Sequence, residues 1–334
     1  MIKIGVIGCG FMGGMHTACY EALENMGVKV VAVADIRRSF AEKLMKAGTE
    51  YYETGMELIE KADVDVVDIC LPTDLHTAHA VAAMKKGINV YVEKPVCLTE
   101  DEMTLLLQTE KETGVKVQVG QVVRHMAKYK WLKQTVDSGI YGRILSGEFT
   151  RISARPEWAG DNWLHTVSRS GGVAIDMHVH DVDFVRYLLG DPDRVQAQAS
   201  RDSEGVIQHI NALYGYGSDV GIAVQAGWDY PATFPFTAEY RVKFEKATVV
   251  NSGDVTVYPI AGEPFNPKIE EDFSGSNDIG GNISSLAGYY GELKYFIEGL
   301  QGKNDLSVAT LQEAVASARL AWREVAAAGG LIQK

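Results

Sequence analysis

Basic clusters are missing from this chain. With 44 acidic against 32 basic residues and a formal net charge of −12, no face of Lys and Arg is on offer to phosphates, and a nucleic-acid partner is excluded. Long apolar runs are missing too. None approaches the roughly 20 residues that span a bilayer, so no membrane partner is expected. The opening Met1-Ile2-Lys3-Ile4-Gly5-Val6 enters a strand pattern at once, without the basic region, apolar stretch and cleavage site of a secretory signal. Only four cysteines occur, Cys9, Cys19, Cys70 and Cys97, and their spacing suits no metal. Reduced thiols in a cytoplasmic protein without a bound metal are therefore expected. Internal repeats and low-complexity tracts are likewise lacking.

What is there is ordinary for a globular protein: 46% hydrophobic and 23% charged residues over 334 positions. That length exceeds what one core usually supports, so two domains are expected, over 1–122 and 123–334. In the first, short apolar runs at Ile2–Ile7, Val28–Ala34, Glu50–Tyr52, Val64–Leu71, Ile88–Val92 and Val115–Val119 alternate with helical stretches. This predicts an α/β fold, a doubly wound parallel Rossmann sheet covered on both faces. After Gly120 the texture changes. A helix (126–138), a long strand (143–154) and one helix over 172–189 precede several strand-like runs between 195 and 258. They predict a C-terminal α+β domain with a largely antiparallel sheet. The stretch 259–285 reads as a loop, and two helices close the chain.

Gly8-Cys9-Gly10-Phe11-Met12-Gly13 follows the first strand and opens a helix, and Asp35 closes the second strand 22 residues after Gly13. That is the full context of a dinucleotide fingerprint. The first glycine permits the tight turn, the second lets backbone approach a pyrophosphate, and the third lets helix pack on strand. Asp35 would accept hydrogen bonds from ribose hydroxyls and repel a 2′-phosphate, which favours NAD. Arg37 and Arg38 leave NADP open. The strand ends supply the other candidates for cofactor contact: Phe11 and Met12, Ile36 and Arg37, Leu71, Thr73 and His76, Glu93 and Lys94, and Gln121. For His76 a cofactor contact and an ordinary place in a helix first turn are both open. Cys9 fills space in the loop, although a helix N-terminus can lower a thiol pKa.

The fingerprint, Glu93-Lys94-Pro95 and the run Gly171-Gly172-Val173-Ala174-Ile175-Asp176-Met177-His178-Val179-His180-Asp181-Val182-Asp183 together resemble the glucose–fructose oxidoreductase, inositol dehydrogenase and rhizopine catabolism family (Gfo/Idh/MocA). The resemblance covers essentially the whole chain. It implies a Rossmann domain joined to an open-faced sheet that packs into homodimers or homotetramers. It also implies oxidation or reduction of a secondary alcohol on a sugar, inositol or related polyol, with Lys94, Asp176 and His180 at the catalytic positions. Pro95 is expected after a cis peptide bond.

The chemistry is coherent from below. Oxidising a secondary alcohol needs a base for the hydroxyl proton, and histidine suits that near neutral pH. Asp176 and His180 stand at i and i+4 on the predicted helix, so the carboxylate can orient the imidazole. A Lys94 ammonium would stabilise developing alkoxide. His178 and His180 lie roughly 200° apart on a helix and cannot share one metal ion, so His178 is expected to be packed or interfacial. Arg155, Trp158, Trp163 and His165 either hold a sugar-like ring or pack as a loop. Two other functions compete: a glycoside-cleaving enzyme that oxidises transiently and eliminates, and a non-catalytic cofactor or sugar sensor. The substrate's identity is not written in the sequence.

Overall fold

The computed structural model describes residues 1–157, 160–271, 273 and 285–330. The chain divides into two compact units, 1–125 with 272–315, and 126–271 with 316–333. The expected single boundary at 122 therefore needs correction in one respect. Residues 285–315 group with the first unit, because their helix carries an apolar face that the first unit buries.

In the first unit β1 (Ile2–Ile7), α1 (Phe11–Ala22), β2 (Val28–Ala34), α2 (Arg38–Leu44), β3 (Glu50–Tyr52), α3 (Gly55–Lys61), β4 (Val66–Ile69), α4 (His76–Lys85), β5 (Asn89–Glu93), α5 (Glu100–Thr113) and β6 (Val117–Gly120) alternate as expected. The weak third strand is real. The six strands are parallel in the order β3-β2-β1-β4-β5-β6. The chain reverses direction across the sheet between β1 and β4, where such folds bind ligands at the strand C-termini. Val66, Val67 and Ile69 of β4 and Val90 and Val92 of β5 are fully buried, as strands covered on both faces must be.

The second unit opens with α6 (Ala127–Ser138) and β7 (Ile144–Ala154), followed by three short helices: α7 (Val167–Ser170), α8 (Val173–Asp176) and α9 (Val179–Leu189). Strands β8 (Arg194–Arg201), β9 (Ile207–Tyr216), β10 (Val220–Tyr230), β11 (Thr237–Phe244), β12 (Ala247–Ser252) and β13 (Asp254–Pro259) then build a seven-stranded sheet, β13-β12-β11-β7-β10-β9-β8. Every pairing is antiparallel except β7 with β10. The loop expected from 259 gains one backbone bridge, Val257 with Phe265; residues 274–284 lie outside the described part. Helix α10 (Ala287–Leu300) packs on α1. Helix α11 (Leu311–Ala327) contains the point where the units divide. Among the described residues, no helix is long and apolar enough to cross a membrane.

Candidate active site

Each glycine of the loop has its own steric reason. Gly8 has φ +91, and a Cβ there would stand 2.6 Å from the Cys70 carbonyl oxygen. A Cβ on Gly13 would stand 2.0 Å from the Gly8 carbonyl oxygen, so only glycine lets α1 approach the turn so closely. At Gly10 nothing lies within 4 Å. Space is left there for a group the chain does not supply, at the start of a helix whose N-cap Gly10 offers no side-chain cap. Phe11 and Met12 form that first turn and are half-buried.

Asp35 is 9% exposed and held by two amides: Cys9 N–H donates to Oδ2 at 2.9 Å and Arg37 N–H to Oδ1 at 2.7 Å. Each carboxylate oxygen keeps lone-pair capacity for a hydroxyl donor. The two arginines are engaged. Arg37 lies 4.0 Å over the Phe40 ring, and Arg38 pairs with Glu42 and lies 5.0 Å over Tyr51. Ile36 is 75% exposed, an apolar side chain beside the acid. Burial, and then the Asp35 charge, push the Cys9 thiol up to about 12. The helix N-terminus does not lower it, which accords with a residue that fills space.

At the ends of β4, β5 and β6 the candidates separate. The His76 ring is 1% exposed, with Nδ1 2.9 Å from the Pro95 carbonyl and Nε2 2.7 Å from the Leu71 carbonyl. It ties two loops together through both ring nitrogens. Burial holds its pKa below the usual value, against the pull of both carbonyls. The Lys94–Pro95 bond is cis, as expected. Lys94 is the single half-exposed residue between Tyr91 and Leu98, all the others being buried. Thr73 Oγ1 and Gln121 Oε1 are buried with no hydrogen-bond partner among the described residues. Leu71 is half-buried.

Glu93 turns inward. It is 5% exposed, its Oε2 accepts from the Lys94 backbone N–H at 3.0 Å, and its Oε1 lies 3.1 Å from His16 Nε2. His16, Asp68 and Glu292 complete a buried group that the sequence reading missed. The signal was present: Asp68 interrupts the apolar run Val66–Ile69, and Glu292 precedes Phe296 on a helix face that is buried.

In the second unit the expected helix over 172–189 is broken. Gly171 and Gly172 both have positive φ, 78 and 69, and turn the chain from α7 into α8. His178 N–H then bonds to the Val173 carbonyl at 2.9 Å, five residues back, while His180 N–H reaches Met177 at 3.4 Å. One wide turn therefore separates α8 from α9, a distortion frequent at functional sites. Asp176 ends α8 and His180 lies in the first turn of α9, one on each side of it. From Val173 to Arg186 they are the two residues that are half-exposed, and the rest are buried. His178 is packed, as expected, with Nε2 2.5 Å from Glu324 Oε2, and Tyr214 donates to the same carboxylate.

His165 accepts from Arg155 Nε at 3.0 Å and donates through Nε2 to the Pro156 carbonyl at 2.7 Å. That pattern belongs to the neutral ring, and burial holds its pKa down. Its edge meets Trp228, with ring centroids 5.7 Å apart. Trp163 is half-buried nearby in sequence, and Trp158 lies outside the described residues.

Two family models match this chain. Residues 2–121 match the oxidoreductase family with an NAD-binding Rossmann fold, and residues 129–250 match the GFO/IDH/MocA C-terminal domain. The chain belongs to the Gfo/Idh/MocA oxidoreductase family. Its first unit is an NAD-binding Rossmann domain, and the open space at Gly10, the amide-held Asp35 carboxylate and the buried Gln121 amide oxygen fit that cofactor. Among relatives of this Gfo/Idh/MocA protein is the scyllo-inositol 2-dehydrogenase (NAD(+)) of Bacillus subtilis (strain 168), 33% identical over 57% of this chain. That match spans 54% of the Bacillus protein, about half its length. Inositol 2-dehydrogenase of Pseudomonas syringae pv. syringae (strain B728a) is 27% identical over 90% of this chain and 87% of its own. An oxidoreductase from Agrobacterium radiobacter, solved with NAD+, L-tartaric acid and magnesium, has the same fold: TM-score 0.84, 16% identity, covering 98% of this chain and 96% of that one.

Proposed function

We propose that this protein is an NAD-dependent dehydrogenase acting on a secondary alcohol of an inositol, sugar or related polyol. The observation that carries the reading is the shared exposure of Asp176 and His180 in a run that is otherwise buried. A pair of this kind, presented by a wide turn, suits proton transfer better than core packing. When bound, the nicotinamide supplies the hydride acceptor or donor. His180 takes the hydroxyl proton, or returns it in the reverse direction, and Asp176 orients the ring and favours its protonated form. Lys94 offers an ammonium to the oxygen as negative charge develops on it, and Arg155, Trp163 and His165 contribute to holding the polyol. NAD is favoured over NADP because Arg37 and Arg38 already have aromatic and acidic partners. Self-association into a dimer or tetramer, implied by the family, is part of the proposal, and sedimentation reads it directly.

The names of the inositol dehydrogenase relatives support the substrate class. The experiment is NAD reduction by the purified protein against a panel of inositols, aldoses and sugar acids, with products identified. Stoichiometric NADH supports the dehydrogenase. Glycoside cleavage without net NADH would replace it with transient oxidation and elimination, and cofactor binding without any turnover would leave a sensor.

A further inference from the structure

Polar side chains from four elements of the first unit meet where water does not reach. His16 of α1 and Asp68 of β4 are 0% exposed, Glu292 of α10 is 2% and Glu93 of β5 is 5% exposed. His16 Nδ1 lies 2.9 Å from Asp68 Oδ2, and its Nε2 lies 3.1 Å from Glu93 Oε1. Both ring nitrogens thus lie at ion-pair distance from a carboxylate, the Nδ1 contact as a hydrogen bond and the Nε2 contact outside hydrogen-bond geometry, and two such neighbours favour the protonated ring. A carboxylate oxygen of Glu292 lies within 4.8 Å of a His16 ring nitrogen and of a Glu93 carboxylate oxygen. Neither Glu292 oxygen has a hydrogen-bond partner among the described residues. Two carboxylates this close and this dry do not both ionise. Room is also reserved for this arrangement: a Cβ on Gly120 would stand 3.1 Å from Glu93 Oε1.

We infer that this cluster is a proton-holding clamp for Lys94. His16 is an imidazolium bridging Asp68 and Glu93, Glu292 keeps a proton beside Glu93, and Glu93 is thereby fixed as the acceptor of the Lys94 backbone N–H. His16 and Glu292 are positioning residues that act through Glu93. The inference rests on the proposed role of Lys94 in the reaction. The titratable groups facing the cluster are Tyr20 and Cys19 of α1, Tyr91 of β5, Cys70 after β4 and Tyr289 of α10. Burial pushes Tyr20, Cys19, Tyr91 and Cys70 up, so these four stay neutral and the four core residues share the charge. Burial, then the Glu93 charge, raises Glu292 well above its usual 4.5. Burial, the largest single effect, would lower His16, but the charge and hydrogen bond of Asp68 together with Cys70 outweigh it, and the ring lies well above 6.5.

Both folded-state pKa values are raised, so the stability these groups confer is full below the unfolded values and declines as pH rises toward the folded ones. The test compares heat unfolding of wild type, Glu292→Gln and Glu292→Ala across pH, with hydrogen exchange read on the segment carrying Lys94. Glutamine keeps a donor but holds no titratable proton. Its unfolding equilibrium constant, relative to wild type, is expected to fall about tenfold per pH unit above the usual glutamate range, until Glu292 itself titrates. Lys94 amide exchange is expected to stay slow in Glu292→Gln and to quicken in Glu93→Gln and Glu292→Ala. Parallel pH curves for wild type and Glu292→Gln would overturn the inference, as would unchanged exchange in the other two variants. A lower Tm after EDTA would also overturn it, because a cation would then be neutralising the cluster. Lys94→Ala is read separately: wild-type turnover there sinks the proposed role of Lys94, whereas the curves and exchange rates report on the clamp itself.

Discussion

The amide of Cys9 donates to Oδ2 of Asp35 at 2.9 Å, which ties the end of β2 to the turn that opens α1. The carboxylate expected to read the cofactor's ribose is thus positioned by the same turn that leaves open space at Gly10. Replacing Asp35 by Ser removes a charge already fixed in space. NADH affinity is expected to fall about tenfold, as for a lost hydrogen bond to a charged group, while NADPH affinity holds or rises. Fluorescence titration with both cofactors measures the ratio, and an unchanged ratio would assign selection to another residue.

Gly10 and Gly13 separate binding from folding. At Gly10 the φ is −74 and nothing lies within 4 Å. Gly10→Ala is therefore expected to unfold within about 1 kcal/mol of wild type yet lose NADH binding. Gly13→Ala places a Cβ 2.0 Å from the Gly8 carbonyl oxygen and is expected to lose about 1–3 kcal/mol of stability as well. Heat unfolding of the free protein beside NADH titration checks both; tight NADH binding by Gly10→Ala would refute the assigned phosphate approach.

His180→Ala is expected to lower turnover by about 10²–10⁴ while leaving NADH affinity unchanged. Single-turnover NAD reduction with the best substrate from the panel gives the number. A near-wild-type rate would remove His180 from the proton transfer.

Cys9 and Cys19 are both pushed up to about 12, with burial the largest cause at each. Neither forms thiolate near neutral pH, so the native protein is expected to resist iodoacetamide at these two positions. Peptide mapping before and after denaturation tests this. Rapid native labelling of Cys9 would show that the helix N-terminus dominates after all.

Most of the first unit was legible because parallel strands buried on both faces leave plain apolar runs. The fingerprint could be read because Gly8 and Gly13 answer backbone demands that no other residue meets. The break between α8 and α9 was not legible. Its cause is the bond from His178 N–H to the Val173 carbonyl, and a shift of one hydrogen-bond partner leaves no mark on hydrophobic spacing. His76 could be read either way, because one of its carbonyl partners, Pro95, stands 19 residues on, and that tie leaves no mark on local spacing. The His16 cluster escaped for a related reason. Its members are scattered from α1 to α10, and only folding shows that they meet.

The return of α10 to the first unit bears on how the chain is made. Leu293, Phe296 and Ile297 are fully buried there, and the chain carries them after β7–β13. Domains generally fold as units while synthesis proceeds. Residues 1–125 therefore emerge from the ribosome with one wall of their interior absent and Glu93 without its Glu292 neighbour. The cofactor domain precedes the second sheet along the chain, yet it closes only after the strands of that sheet have already been translated.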